Sequence, residues 1–130
     1  MRVSLFCFLM LVSINVFSHT IYTEDKLGVA VTSKEPEFII KLKSNPTTGY
    51  SWFLRTYDTR FLTPIKHVYE GATNKKLMGA PGYEMWTFRV KPGAFAFPQQ
   101  TLLRFVYSRP WEGNDQSKQV VFRVSAIEAS

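Results

Sequence analysis

The sequence has only one cysteine, Cys7, which lies in an apolar stretch at the start of the chain. The rest of the chain therefore offers no disulfide, no thiol nucleophile and no thiolate metal ligand. Histidine is nearly as scarce, since only His19 and His67 occur, and neither lies in a recognisable motif. Nucleophilic catalysis needs a positioned base, and no metal-ligand spacing or phosphate-binding loop is present either. These absences argue against an enzyme and against a bound cofactor or metal.

Clusters of like charge are also missing. Lysine and arginine number 16 against 10 acidic residues, a net charge of +6, but no basic run exceeds two residues. A nucleic-acid-binding surface usually shows a concentrated basic stripe, so nucleic acid is not expected as a partner. A site of paired carboxylates stays open as an enzymatic alternative, although the acidic residues show no suggestive arrangement.

Apolar runs are short except at the amino terminus. The positively charged Arg2 is followed by mostly apolar residues from 3 to 17. Val16 and Ser18 then occupy positions −3 and −1 of a plausible cleavage site before His19. This layout predicts a secretory signal peptide over residues 1–18, because the run is short for a transmembrane span. An uncleaved anchor and a buried helix are the alternatives. We expect an exported single domain of residues 19–130, free of the membrane after cleavage, with an extracellular, periplasmic or endolysosomal destination.

Short apolar runs with a period of two make up most of the remaining chain, and turn residues separate them. Alternation of this kind places one set of side chains in a core and the other toward solvent, which is typical of β-strands. About seven strands within the 112 residues from 19 to 130 (130 − 18) favour an all-β, immunoglobulin-like β-sandwich, here without a disulfide. The predicted strands lie near residues 27–32, 37–43, 50–55, 64–69, 83–91, 99–108 and 117–127. The stretch 58–70 is the least clear, since a short strand, a helical turn and a packed loop all fit it.

Aromatic and branched side chains must fill this core, because no disulfide can brace it. Hydrophobic residues are 45% of the chain and aromatic residues 15%, which is enough to build such a core. The residues predicted to pack between the sheets are Phe38, Ile40, Leu42, Trp52, Trp86, Phe88, Leu103, Phe105, Val120, Phe122 and Val124.

Three unusual loop sequences lie between the predicted strands. The first is Asn45-Pro46-Thr47-Thr48-Gly49-Tyr50. Pro46 stiffens this loop, Gly49 permits a sharp turn, and Asn45 can hydrogen-bond its own backbone. The β-branched threonines have few rotamers to lose on binding a partner. A well-made connection between two strands is the alternative interpretation.

The second loop contains Met78, Gly79, Ala80, Pro81 and Gly82. Its glycines and small side chains make it slim, so its backbone can approach another surface closely. A hairpin end with a core contact is the alternative.

The third loop contains Arg109, Pro110, Trp111 and Glu112. A tryptophan between a proline and a charged residue at a strand end is not expected to be wholly buried, and exposed tryptophans are enriched at binding hot spots. A tryptophan folded back over the end of the sandwich, with Arg109 stacked on it, is the alternative.

The spacing of the three loops relates them to one another. They follow the second, fourth and sixth predicted strands. In a seven-stranded immunoglobulin-type sandwich, the loops after these strands emerge at one end. The strand count therefore predicts one surface made of three loops.

Taken in order, the loop motifs resemble those of the chagasin-type inhibitors of papain-like cysteine peptidases. The motifs are Asn-Pro-Thr-Thr-Gly-aromatic from Asn45, Gly-x-x-Gly from Gly79 and Arg-Pro-Trp from Arg109, and the resemblance extends from about Leu27 to about Ile127. It implies an immunoglobulin-like fold and tight, reversible binding to papain-like enzymes such as cathepsins, or to the organism's own proteases. It also implies three loops that together fill the active-site cleft. We expect a monomer, since such a wedge needs a free end.

The resemblance also assigns roles to single residues. It places Thr47 nearest the catalytic cysteine of the protease, with the rest of the first loop shaping its approach. It lays Gly79–Gly82 along the substrate cleft and sets Arg109 and Trp111 on the primed side. Some family members carry a further glycine where this chain has Pro81, and proline stiffens the loop and removes a backbone donor.

A non-inhibitory secreted β-sandwich that binds carbohydrate or another protein is the alternative function. The fold alone does not separate the two, because β-sandwiches serve many functions. Use of all three loops on one protease cleft would distinguish the inhibitor.

Overall fold

A computed structural model describes residues 19–71, 82–111 and 118–127. The predicted signal peptide, the second-loop residues Met78, Gly79, Ala80 and Pro81, and Glu112 of the third loop lie outside these residues. Within the described ranges, no helix is both long enough and apolar enough to cross a membrane.

Eight β-strands form two four-stranded sheets. In chain order they are β1 (Thr20–Tyr22), β2 (Gly28–Thr32), β3 (Glu37–Ser44), β4 (Ser51–Thr56), β5 (Leu62–Glu70), β6 (Gly82–Val90), β7 (Gln99–Ser108) and β8 (Lys118–Ile127). Sheet A has the order β1-β3-β6-β5, and sheet B has the order β2-β8-β7-β4. Two 3₁₀ helices, Pro46–Thr48 and Pro92–Phe95, are the other regular elements of the described part. The predicted all-β sandwich is confirmed.

The seven predicted strands correspond to β2 through β8, and β1 is an addition. β1 has only three residues and pairs in parallel with β3. Its sequence is too short to show a period of two. β1 is a strand because it pairs with β3, and a pattern within three residues does not predict a pairing with a distant part of the chain.

Alternation along the strands builds the core as predicted. In β3, Phe38, Ile40 and Leu42 are buried while the side chains between them are not. Phe38 stacks on Phe88 at 5.6 Å between ring centroids, and Phe105 meets Phe122 edge to face at 6.0 Å. Such aromatic pairs stabilise a core beyond the area they bury, so aromatic packing replaces the missing disulfide.

Ten of the eleven predicted core residues are buried, and Trp86 is the exception. Trp86 packs against the core but is only partly buried. Its ring lies under the imidazole of His67 at 3.7 Å, with an angle of 12° between the planes. Trp86 is on the inner face of β6, but it pairs with a half-exposed residue of the edge strand β5 and is therefore not enclosed.

The unclear stretch 58–70 contains a turn followed by the edge strand β5. The carbonyl of Asp58 accepts hydrogen bonds from the N–H groups of Phe61 and Leu62, both of which are buried. The register of β5 against β6 shifts between Pro64 and Lys66. This irregularity breaks the period of two, which explains why the pattern indicated no single structure and why β5 is longer than the predicted 64–69.

The strand directions place the three loops at one end of the sandwich. In sheet A, Ser44 at the end of β3 pairs with Gly82 at the start of β6, and β5 ends beside it. In sheet B, Ser51 at the start of β4 pairs with Ser108 at the end of β7. The connections after β3, β5 and β7 therefore leave the same end, as the strand count predicts.

Candidate functional site

The first loop is a 3₁₀ turn held by its own side chains. The side-chain Oδ1 of Asn45 accepts hydrogen bonds from the Thr47 N–H at 3.3 Å and from the Thr47 hydroxyl at 2.6 Å. The Asn45 carbonyl accepts from the Thr48 hydroxyl at 2.7 Å. The hydroxyl oxygen of Thr48 in turn accepts a hydrogen bond from the Tyr50 N–H at 3.3 Å. Asn45 therefore braces the turn as predicted, and Thr47 lies exposed upon it.

Gly49 ends this turn in a conformation that favours glycine. Its φ angle is +81°, in the left-handed region that other residues rarely adopt. A Cβ built on Gly49 would lie 2.8 Å from Cη2 of Trp111. The indole of the third loop thus packs on the bare backbone of the first loop, and glycine is needed for two separate reasons.

The third loop contacts the first through Arg109 as well. The Arg109 Nε donates a hydrogen bond to the Thr48 carbonyl at 2.9 Å, and the guanidinium lies 4.6 Å from the centre of the Tyr50 ring. Trp111 is 72% exposed and Pro110 is also exposed. The expectation that Trp111 is not wholly buried is therefore met, although its edge rests on Gly49.

An aromatic stack connects these loops to the sandwich. Tyr50 lies 5.3 Å from Tyr107, and Tyr107 lies 4.8 Å from Trp52, measured between ring centroids. The Tyr107 hydroxyl accepts a hydrogen bond from the Asn45 N–H at 3.0 Å. Tyr107 was not among the predicted site residues. Its place two positions before Arg109, at the end of a strand, was the available signal.

Only one predicted residue of the second loop, Gly82, lies in the described part. Gly82 is buried, and a Cβ at this position would overlap the carbonyl oxygen of Glu70 and the phenol of Tyr69. The glycine therefore permits close packing inside the molecule. This differs from the predicted reason, which was a close approach to an outside surface.

The surroundings of the first loop are basic. A cleft of about 580 Å³ beside it is lined by Lys41, Lys43 and Lys118 together with Glu24 and Asp25. Lys118 pairs with Glu24 at 2.8 Å. In the described part of the chain, no three His, Cys, Asp or Glu side chains come together in a way that could hold a metal ion. The first loop therefore lies beside lysines of β3 and β8, and the third loop presents an exposed indole.

The sequence profile of the Chagasin family peptidase inhibitor I42 matches residues 31–126. The chain belongs to this family. The match runs from β2 to β8 and so includes all three loops. The protein is accordingly a peptidase inhibitor and not an enzyme, as the resemblance implied.

Solved structures show the same fold at low sequence identity. The cysteine protease inhibitor EhICP2 from Entamoeba histolytica is 21% identical, with a TM-score of 0.66 over 82% of this chain and 94% of that chain. Amebosin is 23% identical, with a TM-score of 0.61 over 86% of this chain and 99% of that one. PbICP-C, whose structure is in complex with falcipain-2, is 14% identical, with a TM-score of 0.59 over 87% and 95% of the two chains. No curated protein matches this chain significantly.

Proposed function

We propose that this inhibitor acts on papain-like cysteine proteases by filling their active-site cleft with its three loops. The observation that carries the proposal is the contact of the first loop with the third at the free end of the sandwich. Gly49 lies against Trp111, and Arg109 is bonded to Thr48 and stacked on Tyr50. Two of the three predicted loops thus form one preassembled surface.

The described geometry supports inhibition by occlusion. Hydrogen bonds hold the turn around Thr47, so little conformational freedom is lost on binding. Thr47 is exposed on a tight 3₁₀ turn, and a turn does not present a peptide bond in the extended form that a protease cleaves. We place Thr47 nearest the catalytic cysteine, with the second loop along the substrate cleft and the third on the primed side.

Trp111 is the proposed energetic anchor of the interface. Its side chain is mostly exposed in the free protein and would be desolvated on binding, which is typical of hot-spot residues. The family membership and the two structural neighbours described as a cysteine protease inhibitor and as a complex with falcipain-2 support the class of target. The free end of the sandwich suits a monomeric inhibitor.

The test is titration of residues 19–130 against papain and cathepsin L of known active-site concentration. We expect stoichiometric, reversible inhibition. Trp111→Ala should raise the inhibition constant about 30-fold or more, the effect of losing about 2 kcal/mol at a hot spot. Absence of inhibition by folded protein at micromolar concentration would contradict the proposal for these enzymes.

Phe97→Ala is the matched control for this experiment. Phe97 is also a largely exposed aromatic residue, at 64%, but it lies before β7 at the opposite end of the sandwich. Its removal should leave the inhibition constant unchanged. An equal effect of both substitutions would show that the loop end is not the binding surface.

We also propose that residues 1–18 are a signal peptide and that the inhibitor is exported. The proposal is supported by the positive start, the apolar run and the small residues before His19. Expression of the full chain in a secreting host, followed by mass measurement of the exported protein, tests it. A product that begins at His19 supports cleavage after Ser18, and retention of the whole chain in the membrane contradicts it.

A further inference from the structure

A carboxylate is buried at the loop end of the sandwich. Glu84 is 4% exposed and points inward from β6, on the same face as Phe88. Burial of a charged side chain is unfavourable unless partners compensate it, and an apolar residue often packs there equally well or better. The core of a sandwich does not need a carboxylate at this position, so packing alone does not explain Glu84. Its hydrogen-bond partners do.

The two oxygen atoms of Glu84 accept hydrogen bonds from different elements. Oε2 accepts from the backbone N–H of Trp52 at 2.9 Å. Oε1 lies 2.8 Å from Nε2 of His67, whose ring is stacked on Trp86. Glu84 therefore joins three strands next to the loops. β4 follows the first loop, β5 precedes the second loop, and β6, which contains Glu84, follows the second loop.

The bond to Trp52 is unusual because it links the two sheets. Among the strands of the described ranges, β4 is an edge strand and pairs only with β7. The N–H of Trp52 bonds to the Glu84 side chain, which belongs to sheet A. The indole Nε1 of Trp52 also donates to the Lys43 carbonyl in sheet A, at 2.9 Å. The second residue of β4 is thus held twice by the opposite sheet.

Trp52 lies just after the first loop, so the contacts of Trp52 bear on where that loop ends. The loop leaves β3 in sheet A after Ser44 and enters β4 in sheet B at Ser51, so it crosses from one sheet to the other. Its geometry depends on how the start of β4 is fixed relative to sheet A. The bond from the Trp52 N–H to Glu84 fixes this start of β4 to sheet A.

We propose that Glu84 is a positioning residue that holds the exit of the first loop in its protease-binding geometry. Glu84 is buried and touches no protease; it acts through Trp52. The part of this inference that concerns protease affinity rests on the proposed function. The part that concerns the loop does not, and the two parts are measured separately.

The loop is measured first, without a protease, by amide hydrogen exchange of the protein exported from cells that express the full chain. Glu84→Met replaces the carboxylate with an apolar side chain of similar length. We expect exchange across residues 45–52 to rise about tenfold or more, the effect of leaving the buried Trp52 N–H without its acceptor. Glu84→Gln should exchange like the wild type, because its amide oxygen accepts from Trp52 and its nitrogen donates to His67 in the imidazole tautomer that carries its proton on Nδ1.

The affinity is measured next, as the inhibition constant for papain at a titrated concentration of active inhibitor. Glu84→Met should weaken inhibition about tenfold or more, and Glu84→Gln should restore it to within about threefold of the wild type. Should Glu84→Met not be exported, Glu84→Asp provides the test, because its shorter carboxylate cannot reach Trp52 and should give the same weakening.

Phe88→Leu is the matched control, since Phe88 is buried on the same face of the same strand but farther from the loops. It should lower the free energy of unfolding without changing the inhibition constant or the exchange of residues 45–52. Wild-type exchange and wild-type inhibition by Glu84→Met would overturn the proposal. If the wild type itself does not inhibit papain, the proposed target fails, and the exchange data alone decide the role of Glu84.

Discussion

Gly49 shows at the scale of one residue how two independent requirements meet. Its backbone has a positive φ angle, and its missing side chain leaves room for the edge of Trp111. A turn residue with a positive φ is ordinarily glycine for the first reason alone. The second reason involves Trp111, which lies 62 residues further along the chain (111 − 49), and it makes Gly49 part of the proposed binding surface.

Gly49→Ala should therefore lower both affinity and stability. A left-handed conformation costs an alanine about 1–2 kcal/mol, and the added methyl group also displaces Trp111. The backbone strain lowers the stability of the free protein, and the displacement of Trp111 weakens binding, so we expect the inhibition constant for papain to rise about tenfold or more, as on partial loss of a hot-spot contact. The measurement is a titration against papain together with chemical unfolding of the free protein.

Gly28→Ala is the control for this substitution. A Cβ on Gly28 meets no atom within 4 Å, and its φ angle is not positive. Its stability and its inhibition constant should match the wild type. An inhibition constant for Gly49→Ala equal to that of Gly28→Ala would show that the contact with Trp111 does not matter for binding.

At the scale of elements, the end of β7 organises the proposed binding surface. Tyr107 near this end stacks between Tyr50 of the first loop and Trp52 of β4, and its hydroxyl accepts the Asn45 N–H. The strand then continues into the third loop with Arg109. The end of β7 thus contacts the first loop and leads into the third loop, and it sets the position of the two loops relative to each other.

Removal of the Tyr107 ring should loosen this support. Tyr107→Leu removes both stacking contacts and the hydroxyl, so inhibition of papain should weaken about tenfold or more, as expected when stacking and a hydrogen bond are lost together. Tyr107→Phe keeps the stack and removes only the acceptor, which corresponds to about 1 kcal/mol or roughly fivefold. Equal inhibition constants for both variants would contradict a role for the stack.

At the scale of the whole molecule, the end opposite the loops is held by charge. Glu37 at the start of β3 accepts hydrogen bonds from His19 and Arg89. The bond from His19 is the main reason why the pKa of Glu37 lies below its ordinary value; partial burial opposes it, and Arg89 adds to it. This cluster ties the residue before β1 to sheet A.

The lowered pKa of Glu37 predicts how stability depends on pH. A carboxyl group with a lower pKa in the folded state stabilises the fold above its unfolded pKa, about 4.3. This contribution is lost as the pH falls through the folded pKa. Glu37→Gln should therefore be less stable than the wild type by roughly 1 kcal/mol at about pH 7, the size of a favourable ion pair.

Urea unfolding of both proteins at neutral and acidic pH provides the measurement. The difference between wild type and Glu37→Gln should shrink below about pH 4 and vanish when the wild-type carboxyl is protonated. A difference that does not depend on pH would mean that Glu37 stabilises the fold by packing and not by its charge.

Most strands could be predicted from the sequence because their signal is local. Period-two alternation in β3, β7 and β8 reports directly which face is buried. Where the local signal fails, so does the prediction: β1 is too short, and the register shift between Pro64 and Lys66 breaks the alternation in β5. Trp86 follows the alternation yet stays partly exposed, because it pairs with an edge strand.

The sequence by itself determined the all-β fold and the identity of the three loops, since both depend on short-range patterns of side chains and turn residues. The tertiary structure decided how the loops are held together. The indole on Gly49, the Tyr107 stack and the bond from Glu84 to Trp52 each join residues far apart in the chain. Such contacts exist only after the strands have paired and the two sheets have packed, so no local pattern announces them.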